Sequence, residues 1–111
     1  MAKILDATSG REIASLKIGA RPDAVLYDPA RRLAYVPTGG DGALSVIALS
    51  GPGDNSIVAT VATQTGARTG AVDPKTGRIY LPTAEFMPPA SPGQRPGIKP
   101  TTFQILVLDR R

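Results

Sequence analysis

The sequence predicts an all-β protein built from short antiparallel strands, and its 111 residues fit one domain. Three observations support this fold class. No window of 11 residues carries the 3.6-residue apolar period of an amphipathic helix. Glycine and proline supply 12 and 11 residues, and they stand between short apolar runs as turn residues do. The chain also repeats itself at a spacing of 45 residues.

The repeat is visible when the chain is aligned with itself. Three separate stretches match at the same offset, so one internal duplication is the simplest explanation. A fourth match lies at an offset of 47 residues, which indicates a local shift of two residues. The pairs are Asp28-Pro29 with Asp73-Pro74, Tyr35-Val36-Pro37-Thr38 with Tyr80-Leu81-Pro82-Thr83, Ala14-Ser15-Leu16 with Ala59-Thr60-Val61, and, at the longer offset, Gly19-Ala20-Arg21 with Gly66-Ala67-Arg68.

Nine strands are predicted, each an apolar or alternating run bounded by turn residues. Thr8-Ser9-Gly10 separates the first two strands, and Gly39-Gly40-Asp41-Gly42 is typical of a hairpin turn. Asp28-Pro29 and Asp73-Pro74 open turns, because proline presets φ and aspartate bonds the backbone that follows. Gly51-Pro52-Gly53 interrupts the chain between the two repeats. The predicted strands cover residues 4–6, 13–18, 24–27, 33–36, 44–49, 57–62, 67–72, 79–81 and 103–108.

Four-stranded meanders that repeat every 40 to 50 residues are typical of β-propeller blades. The pieces that carry a family resemblance are Ile18 to Val25, Asp28-Pro29, Tyr35-Val36 and Ser45-Val46-Ile47. They resemble the YVTN-type repeats of YncE-like proteins, although Tyr-Val-Pro-Thr and Tyr-Leu-Pro-Thr stand where that family has Tyr-Val-Thr-Asn. The resemblance covers nearly the whole chain outside residues 87–100. It implies a seven-bladed ring from a chain about three times longer, whose members are often exported to the periplasm and act as binding scaffolds.

Residues 1–111 therefore read as a partial propeller with repeat units at 12–49 and 57–109. A propeller closes with roughly 4–8 blades, and nine strands make about two and a quarter. The four strands of a blade are numbered outward from the ring axis. In this numbering the first and the last strand of the chain are both third strands. We expect the remaining blades to come from further sequence or from self-association with other copies, because neighbouring blades cover each other's faces.

Strand direction predicts which loops share a face. Loops after second and fourth strands lie on one face of an antiparallel meander, and Arg21 and Arg68 occupy matching loops there. Guanidinium groups in this position can bind a carboxylate or phosphate. Alternatively, each can stabilise its own loop by donating hydrogen bonds to nearby carbonyl groups. The charged residues on this face are Arg21, Asp23, Asp41, Arg68, Glu85, Arg95 and Lys99. The ligand-binding candidates are Arg21, Asp23, Arg68 and Glu85.

Other motifs favour structural interpretations. Turn bonding explains Asp28 and Asp73 better than acid–base chemistry does. The proline-rich loop, residues 87–100, cannot form a ladder strand and is expected to arch over the same face, as a lid or rim or as a solvated insertion. Pro89-Ala90-Ser91-Pro92 matches the PxxP pattern of adaptor-domain ligands, which is a weak signal.

Composition limits the function classes. The chain has no His and no Cys, so the commonest general base and metal ligand and any thiolate are absent, and we expect no metal, no cofactor and no catalytic residue. A noncatalytic scaffold that recognises a protein, peptide or small anionic ligand is the leading hypothesis. The alternative is a propeller hydrolase or lactonase whose remaining site residues lie in absent blades. The net charge of +4 is scattered, and few aromatic residues argue against nucleic acid. No membrane span and no signal peptide are expected, and the localisation stays open.

Overall fold

The computed structural model describes residues 1–51 and 54–109 as three antiparallel sheets, which confirms the all-β prediction. The sheets contain two, four and three consecutive strands, and the described strands form no closed ring. The part of the predicted turn at Pro52 and Gly53 lies outside the described residues. The strands are β1 (Ala2–Leu5) and β2 (Glu12–Leu16) in the first sheet, β3 (Leu26–Asp28), β4 (Leu33–Thr38), β5 (Ala43–Leu49) and β6 (Asn55–Ala62) in the central sheet, and β7 (Ala71–Val72), β8 (Ile79–Thr83) and β9 (Gln104–Leu108) in the third.

The central sheet is buried on both faces, which explains why β4 and β5 are apolar without a clear alternation. On one face, Tyr35 lies opposite Val46, and Leu44 packs in the same cluster. This cluster continues into the third sheet through Ile79 and Leu81. One face of the central sheet is therefore covered by the sheet that follows it in the chain.

The other face of the central sheet packs against the first sheet. Ala34 lies opposite Ile47, and both belong to a second buried cluster with Val36. Ile4 and Leu16, from β1 and β2, pack against this cluster. The first strands of the central and third sheets, β3 and β7, are in contact, and so are the last strands of the first and central sheets, β2 and β6, so the three sheets stack in chain order.

Four predicted strands are shorter in the structure than the sequence suggested. The segments 13–18 and 103–108 are each one residue shorter, and the other two begin two and four residues later than predicted. The segment 67–72 reduces to Ala71–Val72, because the Ala67 N–H donates to the Gln64 carbonyl at 3.0 Å and keeps that part in a turn. The segment 24–27 becomes Leu26–Asp28, where each residue pairs with β4. The strands β3 and β7 are therefore short, with three and two residues.

Because β3 and β7 are short, β4 and β8 can each contain a proline. Pro37 lies in β4, but the pairing of β3 with β4 ends at Tyr35. Pro82 lies in β8, and β7 pairs only as far as Tyr80. Proline has no N–H to donate to a neighbouring strand. Because β3 and β7 do not pair with Pro37 and Pro82, no hydrogen bond between these strands is lost there.

The prediction that Asp28 and Asp73 form turns is confirmed, because each carboxylate accepts hydrogen bonds within its own turn. Asp28 is fully buried, and its carboxylate accepts bonds from the Arg31 guanidinium at 3.0 Å and the Arg31 N–H at 3.3 Å. Asp73 Oδ1 accepts from the Lys75 N–H at 2.9 Å. Burial raises the pKa of Asp28, but the Arg31 hydrogen bonds and charge outweigh it and hold the pKa below the ordinary value.

Replacing Asp28 by Asn tests this turn through its pH dependence. A carboxyl group whose pKa is lowered by folding stabilises the protein above its unfolded-state pKa, near 3.8, and that contribution is lost as the pH falls through the folded pKa. We expect Asp28→Asn to be less stable than wild type at pH 7 and the difference to shrink below pH 4. Urea unfolding followed by circular dichroism between pH 7 and pH 2.5 measures it.

Glu12→Gln is the matched control, because it removes an exposed ion pair with Lys3 at 2.7 Å. Exposed pairs contribute only about 0–1 kcal/mol, so we expect a smaller change in stability. Equal stability of Asp28→Asn and wild type at pH 7 would contradict the prediction.

Candidate functional site

Loops from all three sheets are joined on one side of the stack by backbone hydrogen bonds. The Gly40 N–H donates to the Ala20 carbonyl at 2.9 Å, and the Gly39 N–H donates to the Arg21 carbonyl at 3.1 Å. The Gly66 N–H donates to the Gly39 carbonyl at 2.7 Å. We call this surface the loop face; it comprises residues 17–25, 39–42, 63–70 and 84–103.

A hydrogen bond between the buried Thr38 hydroxyl and the exposed Asp41 carboxylate fixes the hairpin at the centre of the loop face. The Thr38 hydroxyl lies 2.6 Å from Asp41 Oδ1 and 3.1 Å from the Ala43 carbonyl, and its single proton favours the closer carboxylate. This hydrogen bond, with help from the Ala20 backbone N–H, outweighs burial and lowers the pKa of Asp41. Gly19 leaves room for the pair, since a Cβ there would overlap both Asp41 oxygens.

Three of the four predicted ligand residues lie close together on the loop face. Arg68 Nε is 3.6 Å from Asp23 Oδ2, and both side chains are more than half exposed. Gly39 lies between the loops of the two arginines. Its N–H donates to the Arg21 carbonyl, and a Cβ added at Gly39 would lie 3.0 Å from the Arg68 Cβ. Arg21 adopts a positive φ of 57°. Within residues 1–51 and 54–109, the Arg21 side chain has no ion pair.

The fourth predicted residue, Glu85, lies apart from this group. Its carboxylate is 3.9 Å from Lys99 Nζ, and the Lys99 N–H donates to the Glu85 carbonyl at 2.9 Å. The Glu85 N–H donates to the Thr102 hydroxyl at 3.0 Å. No hydrogen bond or ion pair joins Glu85 to the other three candidates among the described residues.

The proline-rich loop has a hydrogen-bonded neck and an exposed tip. The Met87 N–H donates to the Gly97 carbonyl at 2.8 Å, and Phe86 bridges to Ile98. Residues 85–101 are all exposed. The neck holds the ends of the loop together and leaves the tip in solvent.

An open hollow of about 670 Å³ lies on the loop face beside this neck. Its aromatic walls are Phe86 and Phe103, the only two phenylalanines of the chain. Apart from Glu85, sequence reasoning missed this site; the one available signal was that both phenylalanines flank the proline-rich loop. The polar residues that line the hollow are Gln64, Thr65, Glu85, Thr101, Thr102 and Gln104.

Two side-chain amides and one ring are held in place at the hollow. Gln64 Nε2 donates to the Ala84 carbonyl at 3.4 Å, and the Gln104 amide donates to Gln64 Oε1. The Phe86 ring occupies the space beside Gly66, where an added Cβ would overlap it. Gly66 also has φ at 95°, a conformation that side-chain-bearing residues rarely adopt.

Neither a metal cluster nor a membrane-spanning helix is found in the part of the chain that the structure describes. No group of three or more Asp or Glu side chains is placed to hold a metal ion there. None of its residues forms a helix of the length and apolar character needed to cross a membrane. No family model, curated protein or solved structure matches this chain.

Replacing Gly19 by Ala tests the packing at the centre of the loop face. The new methyl group would displace the Asp41 carboxylate from Thr38, and we expect a loss of about 1–3 kcal/mol in the free energy of unfolding. Gly97→Ala is the matched control, because its nearest neighbour is the flexible methyl end of Met87 at 3.3 Å. Chemical denaturation measures both variants, and equal stabilities would contradict the prediction.

Proposed function

We propose that this chain is an open section of a β-propeller and that its loop face is a noncatalytic recognition surface for a protein, peptide or small anionic ligand. The proposal joins two arguments, one about architecture and one about the loop face. The observation that carries the recognition role is the set of backbone hydrogen bonds that fixes loops from different sheets into one surface.

The stacking of the sheets supports the propeller proposal. Each sheet is an antiparallel meander of consecutive strands, and the split into two, four and three strands agrees with the repeat read from the sequence. Contacts between inner strands β3 and β7, and between outer strands β2 and β6, are those that neighbouring blades make. The YncE-like resemblance fits the same arrangement.

An exposed apolar face on the third sheet supports the need for further blades. Tyr80 lies opposite Val107, Pro82 lies opposite Ile105, and the three side chains Tyr80, Ile105 and Val107 are exposed. Within the described residues β9 pairs with β8 alone, so its other edge is open. Another blade, from further sequence or from another copy, is the partner we propose for this face.

The charges of the loop face support an anionic ligand. Arg21 has an exposed guanidinium without an ion pair among the described residues. Arg68 is held only loosely, at 3.6 Å from Asp23, so a carboxylate can replace that partner. Two guanidinium groups on hydrogen-bonded loops suit a ligand with more than one carboxylate.

The assembly state tests the architecture. We expect the isolated chain to associate rather than remain a well-folded monomer of 11.5 kDa, because the third sheet otherwise leaves Ile105 and Val107 in water. Light scattering on a sizing column, with far-UV circular dichroism, measures this. Val107→Lys is expected to weaken association, whereas Thr8→Lys, at an exposed turn position outside the strands, is not. A stable wild-type monomer would contradict the proposal.

Titration with citrate, monitored by ¹⁵N NMR, tests the recognition surface. We expect the amide signals of Gly39 and Arg68 to shift and Arg21→Ala to weaken binding about tenfold, since it removes a charge-assisted hydrogen bond. Arg11→Ala removes an exposed arginine from a turn outside the loop face and is the matched control. Equal weakening by both variants would mean attraction by net charge alone and would refute the site.

A further inference from the structure

The hollow beside the neck differs in chemistry from the arginine group and points to another class of ligand. We propose that this hollow binds a neutral saccharide, with Phe86 and Phe103 against the apolar face of a sugar ring and the glutamine amides on its hydroxyl groups. The inference rests on the proposed role of the loop face in recognition, but it uses separate residues.

The aromatic walls are the first support. Phe103 is 69% exposed and Phe86 is 47% exposed, although each side chain is fully apolar. They are the only phenylalanines in a chain that is 5% aromatic, and both line the same hollow. Exposed aromatic groups bordered by polar residues mark ligand sites, and the C–H groups of a sugar ring pack against such rings.

The polar groups of the hollow are oriented and only partly used. Gln64 is fixed by the Ala84 carbonyl through its Nε2 and by the Gln104 amide through its Oε1. Each amide carries two N–H donors and one carbonyl. Among the described residues, Gln104 Oε1 and one N–H of each amide have no other partner, so the hollow offers a ligand two donors and one acceptor. Adjacent sugar hydroxyl groups supply the complementary set.

The charge of the hollow favours a neutral ligand. Among the described residues that line it, Glu85 carries the only formal charge. That carboxylate repels an anion, and Lys99 Nζ at 3.9 Å partly balances it, which reduces the attraction for a cation. A carboxylate that faces hydroxyl groups still accepts strong hydrogen bonds from them. The arginine group thus favours an anionic ligand and the hollow a neutral one.

The size and openness of the hollow also suit a saccharide. A volume of about 670 Å³ falls within the roughly 300–1,000 Å³ of small-molecule sites. The hollow is open to solvent, and Thr101 and Thr102 form part of its lining. An open site of this kind accepts a unit that is part of a longer chain, as an oligosaccharide requires.

The test uses the whole chain with phenylalanine labelled, because only the rings of Phe86 and Phe103 then give signals. Maltotriose, cellotriose and chitotriose are the probes, each titrated separately and followed by the Phe ring shifts and by saturation transfer to the sugar. We expect at least one trisaccharide to shift both rings. Phe103→Ala is expected to weaken its binding about tenfold, and Phe103→Tyr, which keeps the ring, is expected to retain it. Val58→Ala is the control for loss of an exposed apolar side chain.

The outcomes separate this inference from the proposed anion site. If no trisaccharide shifts the Phe signals, the saccharide inference is overturned, whatever citrate does at Arg21. Binding of tetramethylammonium or an acidic peptide in the hollow, without any trisaccharide, would also overturn it. Trisaccharide binding that is lost in Phe103→Ala and unchanged in Arg21→Ala supports it. Equal loss in Val58→Ala and Phe103→Ala would show a site outside the hollow.

Discussion

Burial of both faces of the central sheet is the constraint on which the rest of the structure depends. Tyr35 and Val46 need the third sheet, and Ala34 and Ile47 need the first, because neither apolar face can stay in water. Since the hydrophobic effect has no direction, the stack is set by which faces are apolar. The four-stranded central sheet alone would leave both of its apolar faces open.

The stacking of the sheets also makes the loop face possible. Loops at the ends of neighbouring sheets come within hydrogen-bond distance, as Gly39 shows by bonding to both Arg21 and Gly66. Small residues are needed at this meeting point, because a side chain at Gly39 would press on Arg68. The surface is therefore a product of packing, and its two candidate sites meet at Gly66, which bonds to Gly39 and leaves room for the Phe86 ring.

Local patterns predicted the elements well, and long-range contacts explain the rest. Each of the nine strands in the described residues overlaps a predicted strand, because turn residues and short apolar runs are local signals. The ends of β3 and β7 were not predicted. The turn at Ala67 adjoins a hydrogen bond from Gly66 to Gly39, a contact between loops that no local pattern shows. Arg21, Asp23 and Arg68 were predicted to share a face and do lie together, whereas the hollow joins Gln64 to Gln104 across 40 residues of sequence. No sequence window could show that contact.

The neck of the proline-rich loop has a consequence for how this chain tolerates change. Because Met87 bonds to Gly97 and Phe86 bridges to Ile98, the ends of the loop are already closed before the tip begins. Lengthening a closed loop costs entropy that grows only with the logarithm of its length. The tip residues are exposed, and an added Cβ at Gly93 meets open space, so a longer segment has room there. Evolution, or an engineer, can insert sequence at this point while leaving the three sheets intact.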